Sequence, residues 1–116
     1  MQTTTLTNTG APVNLLLRKG SAFGRTITYK TNGVVQNISG YTFASQIRTT
    51  SGVLAATFSC TIVNAAQGQF SISLAAPAIG GLTIGTTYVW DLECTQSGLT
   101  FELMRGTVTV VDEATQ

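Results

Sequence analysis

Apolar and polar residues alternate along most of this chain, and Gly, Asn, Ser or Pro interrupts the alternation at short intervals. From Ala22 to Lys30, Phe23, Ile27 and Tyr29 share one side while Ala22, Gly24, Thr26 and Thr28 take the other, which predicts a strand. Thr31, Asn32 and Gly33 then supply a tight turn, since Asn and Gly accept the positive φ of a hairpin connection, and Val34 to Gln36 starts the returning strand. After a break at Asn37 to Gly40, Tyr41 to Thr50 reads as a strand with Tyr41, Phe43 and Ile47 on one face and Arg48 on the other. Ser51 and Gly52 turn the chain into Val53 to Thr61, where Leu54, Ala56, Phe58 and Cys60 fall in one phase. A polar connection, Asn64 to Gly68, leads to the clearest alternation of all, Phe70, Ile72 and Leu74 set against Gln69, Ser71 and Ser73.

The Ala-rich piece from Leu74 to Leu82 contains Pro77 and ends in Gly80-Gly81, so it has room for one helical turn. Thr86 to Thr95 puts Tyr88, Trp90, Leu92 and Cys94 together and turns Asp91 and Glu93 the other way. Ser97-Gly98 closes a hairpin into Leu99 to Val111, with Phe101 and Leu103 on one face and Glu102 and Met104 on the other. A bulge near Gly106 is expected to shift the phase toward Val108 and Val110. About seven or eight short strands with turns between them define an all-β fold, an antiparallel immunoglobulin-like β-sandwich. Residues 1–12, polar and Thr-rich, form an extended N-terminal arm, residues 13–111 the sandwich domain, and residues 112–116 a short polar tail. Extended backbone of this kind can lie on the sheet edge of a neighbouring subunit.

Charge changes the picture most. Only 9% of residues are charged, and none between Arg48 and Asp91, against about a quarter in ordinary soluble domains. A chain so poor in charge is expected to live inside an assembly, with its surface covered by neighbours; the alternative is that Thr and Ser alone wet its exposed faces. The net charge of +1, with scattered Lys and Arg, offers no electrostatic footprint for nucleic acid, and no apolar run is long enough to cross a membrane as a helix. The amino end lacks the basic and apolar regions of an export signal, so synthesis and use from the cytoplasm are expected. In that reducing setting Cys60 and Cys94 read as free thiols in phase with core residues, although a bridge between them stays open.

Chemistry is scarce. With no histidine and five carboxylates, the chain offers no nucleophile and base pair, and no catalytic, cofactor-binding or metal-binding residue stands out. Asp91, Glu93 and Glu102 can meet across the predicted hairpin, either to hold calcium or, as ordinary outward positions, to pair with Arg25, Arg48 or Arg105. Gly80-Gly81 lacks the following Lys-Ser or Lys-Thr of a phosphate loop. Arg18 and Lys19-Gly20 form a short basic segment, and Tyr29, Tyr41 and Tyr88 are sugar-stacking candidates that also lie in phase with the core.

The segments Arg18-Lys19-Gly20-Ser21-Ala22-Phe23-Gly24-Arg25-Thr26-Ile27-Thr28-Tyr29, Ile38-Ser39-Gly40-Tyr41, Gln46-Ile47-Arg48 and Tyr88-Val89-Trp90-Asp91-Leu92-Glu93 resemble small tailed-bacteriophage virion proteins. These are similar to the amino-terminal domain of the phage upper baseplate protein. The resemblance covers roughly Val13 to Val111, with Asn37 where the family has an acidic residue, and Gln116 falls where upper baseplate proteins continue. It implies a non-enzymatic virion structural protein that docks in the tail or baseplate, as a fibre adaptor or similar module. Its expected partners are other virion proteins and copies of itself as a homo-oligomer, with no cofactor, nucleic acid or membrane. Two alternatives remain at this level: a capsid decoration protein, and a carbohydrate-binding module using the tyrosines and the acidic cluster.

Overall fold

A computed structural model describes the backbone of residues 4–7 and, with side chains, residues 12–31 and 33–112. Among the described residues ten strands form: β1 (Thr4–Thr7), β2 (Leu15–Arg18), β3 (Phe23–Thr28), β4 (Lys30–Thr31), β5 (Val34–Val35), β6 (Thr42–Thr49), β7 (Leu54–Asn64), β8 (Gln69–Leu74), β9 (Thr87–Gln96) and β10 (Leu99–Val111). The one α-helix among the described residues, α1 (Ala76–Gly80), is the single turn expected from the Pro77 segment, and its Ile79 is fully buried. Eight strands hydrogen-bond in the order β1-β3-β8-β7-β6-β9-β10-β2, and β4 and β5 form a separate small hairpin.

This continuous sheet folds over on itself at β7. The first part of β7 pairs with β6, through Ala56 to Phe58 and Leu54, and the second part pairs with β8, from Ser59 to Asn64. One strand thus belongs to both layers, and the apolar faces of the layers meet. Phe43 of β6 stacks on Phe70 of β8 with ring centroids 3.8 Å apart, and Phe58 of β7 meets Trp90 of β9 edge-on at 6.2 Å. Phe70, Ile72, Ile27, Ile47, Leu92, Val108 and Leu17 lie in this core without measurable exposure.

The expected all-β architecture is what the chain forms, but the pairing is mixed and not purely antiparallel. Both edge strands run parallel to their neighbours, β1 to β3 and β2 to β10. Direction at these edges is set by partners far away in sequence, Val108 for Leu15 in β2, and alternation along a strand carries no information about it. Within the expected arm, Thr4–Thr7 pair with β3 of the same chain, while residues 1–3 and 8–11 of it, and 113–116 of the expected tail, lie outside the described residues.

Three bulges change which residues face inward. Ala55 is the extra residue where β7 pairs with β6, which leaves Leu54, expected in the core, half-exposed on the surface. Val63 is extra where β7 pairs with β8. In β10 the bulge falls at Leu103, earlier than the Gly106 region where it was expected, and it turns Met104 into the core although the simple alternation placed Met104 beside Glu102. An inserted residue advances one strand past its partner and flips every later side chain to the other face, so an alternation read without the bulge fails beyond it.

The start of β2 is held from inside the sandwich. Trp90 and Gly106 are opposed across β9 and β10, and the space left by the missing side chain of Gly106 is filled by the Val13 backbone. A Cβ at Gly106 would lie 1.8 Å from the Val13 carbonyl oxygen. That carbonyl accepts a hydrogen bond from the indole Nε1 of Trp90 at 2.7 Å, and the Val13 amide donates to the Arg105 carbonyl at 2.9 Å. Leu15 and Leu17 then enter the core from β2.

Replacing Gly106 by Ala forces a side chain into occupied backbone space and is expected to cost about 1–3 kcal/mol, as overpacked positions do. Gly80→Ala, where a Cβ meets nothing within 4 Å, should stay within about 0.5 kcal/mol of the parent; urea denaturation midpoints compare the two. Trp90→Phe removes the indole donor and leaves the part-buried Val13 carbonyl without it, an expected loss of about 1–3 kcal/mol in the same assay.

Candidate docking surface

The face of β6, β9 and β10 turned away from the core is built by register. Across the three strands it carries the rows Ala44, Glu93 and Glu102; Gln46, Asp91 and Arg105; and Arg48, Val89 and Thr107. Beyond Glu93 the next row is Thr42, Thr95 and Thr100, where the Thr95 and Thr100 hydroxyls are 2.9 Å apart. Five of the chain's eleven charged residues therefore gather on one sheet face. Alternation in β6 and β9 already separated Arg48, Asp91 and Glu93 from the core. Their union with Arg105 and Glu102 required the β10 register, which the Leu103 bulge sets.

A groove of about 510 Å³ runs along this face, lined by Gln46, Arg48, Asp91, Glu102, Arg105 and Thr107 and bounded by Pro12, Val89, Trp90 and Gly106. Arg105 Nε lies 3.5 Å from Glu102 Oε1, both side chains well exposed, so this pair adds little to stability. The Arg48 guanidinium is held by the Gln46 side chain and donates to the Gly52 carbonyl at 3.2 Å. Behind the face, Ser45 is fully buried and its hydroxyl donates to the Asp91 carbonyl at 2.7 Å.

Of the three carboxylates expected to meet, Glu93 and Glu102 are directly opposed, and Asp91 is opposed instead by Arg105. Two like charges facing each other across a ladder repel, so this end of the face favours a cation. No group of three or more His, Cys, Asp or Glu side chains placed to hold a metal occurs among the described residues. Arg25 is not part of this surface; its guanidinium lies 4.4 Å from the centre of the Phe23 ring on β3.

The other singled-out residues are dispersed. Arg18 donates to the Asp112 carbonyl at 3.2 Å and Lys19 to the Gly80 carbonyl at 3.1 Å, so the basic segment braces the chain's own turns. Gly80-Gly81 closes α1. Tyr88 is buried and its hydroxyl accepts the Thr83 amide at 2.9 Å. Tyr29 and Tyr41, half-buried at one end of the sandwich, pack at 6.2 Å with tilted rings, and Phe101 approaches Tyr29 at 6.4 Å. Burial, and then the neighbouring Tyr29 and Cys94, push the Tyr41 hydroxyl above its ordinary pKa. Cys60 and Cys94 are both free, and burial pushes both thiols up.

The fold defines an all-β sandwich with a shared strand, and solved structures of this kind are known. The chain is similar to the N-terminal domain of phage TP901-1 ORF48, with a TM-score of 0.53 and 15% sequence identity, covering 97% of this chain and 99% of that one. No protein-family model matches the chain, and no curated protein matches it.

Raised thiol and phenol pKa values mean that the folded chain holds these protons more tightly than the unfolded chain does. Stability is then unchanged below the ordinary thiol range, about 8.5, and falls as the pH rises through it. The urea midpoint should be flat from about pH 6 to 8 and lower at about pH 10, and Cys60→Ala with Cys94→Ala should remove much of that fall.

Proposed function

We propose that this chain is a non-enzymatic structural domain of a tailed-phage virion, seated in the tail baseplate, where it joins other virion proteins as a fibre adaptor or a similar docking module. The observation that carries this reading is the end-to-end likeness of its fold to a domain of a phage baseplate protein, at 97% coverage of this chain. The resemblance of Ile38-Ser39-Gly40-Tyr41, Gln46-Ile47-Arg48 and Tyr88-Val89-Trp90-Asp91-Leu92-Glu93 to upper baseplate proteins points the same way.

The surface supports a packed setting. Leu99 is 72% exposed at the β9–β10 hairpin, Val34 and Val53 are 62% exposed, and Val63 is 58% exposed. Across the ladders Leu99 is opposed to Gln96 and Val34 to Thr31. Contacts made there with other virion proteins would rest on apolar burial, main-chain hydrogen bonds and hydroxyls, and so would respond weakly to salt. The chain would be made in the host cytoplasm and carried in the particle.

Immunogold electron microscopy of purified particles with an antibody to this chain tests the reading. Label at the tail tip is the expected result. Label over the whole head would replace the baseplate role with capsid decoration, and absence of the chain from both intact and disrupted particles would overturn the virion reading.

A further inference from the structure

We infer that the outer face of β6, β9 and β10 is a contact between two copies of this chain, paired through Arg48 and Glu102. The inference goes beyond the virion role and does not depend on it. It rests on how the charges are laid out. Arg48 stands on β6 at the level of Val89, and Glu102 stands on β10 at the level of Glu93. Asp91 lies midway between those two levels on the strand between them. The face therefore has a diagonal with a cation at one end, a pair of carboxylates at the other, and Asp91 at its centre.

Such a diagonal is self-complementary. A two-fold axis lying in the plane of contact, through Asp91 and perpendicular to the diagonal, exchanges its ends. Arg48 of each copy then faces Glu102 of the other, and the isologous geometry makes this contact twice. Glu93, directly opposed to Glu102, joins it, so each Arg48 meets two carboxylates, of which Glu102 has Arg105 at 3.5 Å within its own chain and Glu93 faces it as a like charge. The two Asp91 side chains on the axis are flanked by the two Arg105 side chains, each opposed to Asp91 within its own copy. The groove of about 510 Å³ along the face gives the long arginine side chains of the partner a place to lie. Arg48 is also held in position before contact by Gln46 and the Gly52 carbonyl, which reduces the ordering that association requires.

The other occupants fit less well. A nucleic acid meets only two cations beside three carboxylates on this face, and a strongly acidic or basic protein would leave one end of the diagonal unmatched.

Sedimentation velocity of the full chain over a concentration series, at low and at high salt, tests the inference. A dimer is expected, weakened by salt because its contacts are ionic. Arg48→Glu should raise the dissociation constant by about tenfold or more, since it places carboxylates against carboxylates. Glu102→Arg, at a well-exposed position, should do the same. The triple variant Arg48→Glu, Glu93→Arg, Glu102→Arg reverses the diagonal in one chain and should restore association toward the parent level. A monomer at every concentration, a dimer indifferent to Arg48→Glu and Glu102→Arg, or a folded triple variant as weak as Arg48→Glu would overturn the inference. Tail-tip label on particles together with a monomeric chain would sink this contact and leave the baseplate reading standing; a dimer of this kind without label on particles would do the reverse.

Discussion

A part-buried hydrogen bond, from the Trp90 indole to the Val13 carbonyl, ties the edge of the sandwich to its interior. Burying either group alone would cost on the order of 1–3 kcal/mol, so each needs the other. The two can meet only because Gly106 has no side chain; a Cβ there would occupy the place of the Val13 backbone. Once Val13 is fixed, β2 must begin beside Val108, and its alternation carries Leu15 and Leu17 inward and leaves Leu16 half-exposed. The parallel pairing of β2 with the last residues of β10 thus follows from contacts made before the strand starts.

The second constraint is the division of β7 between two partners. An 11-residue strand that pairs first with β6 and then with β8 turns one sheet into two facing layers without a long connection. Bulges at Ala55 and Val63 lie on this strand, where added residues increase local twist and bend the ladder. The fold-over brings Phe43 onto Phe70 and Phe58 onto Trp90. It also leaves the far side of β6, β9 and β10 facing outward, and that side holds nearly half of the chain's sparse charge. A protein with few ionic groups has placed five of its eleven near one another, while hairpin ends such as Val34 and Leu99 stay apolar and exposed. Apolar ends and one patterned charged face are different kinds of surface, suited to different contacts within one assembly.

Strand phase and turn position were written in the sequence, because both follow from neighbours a few residues apart. Phe70, Ile72 and Leu74 point inward as their alternation requires, as do Tyr88, Trp90, Leu92 and Cys94. Ser97 and Gly98 both adopt positive φ, the backbone of a two-residue hairpin, where their identities placed the turn. The separation of Arg48, Asp91 and Glu93 from the core was legible for the same reason. Tertiary structure alone decided the direction of the edge strands, the sharing of β7, and the inward turn of Met104 with the outward turn of Leu54. Each of these depends on a partner strand far along the chain or on one inserted residue in a ladder, and a local hydrophobic pattern encodes neither. The diagonal from Arg48 through Asp91 to Glu102 belongs to the second group, since it exists only in the register that three strands adopt together.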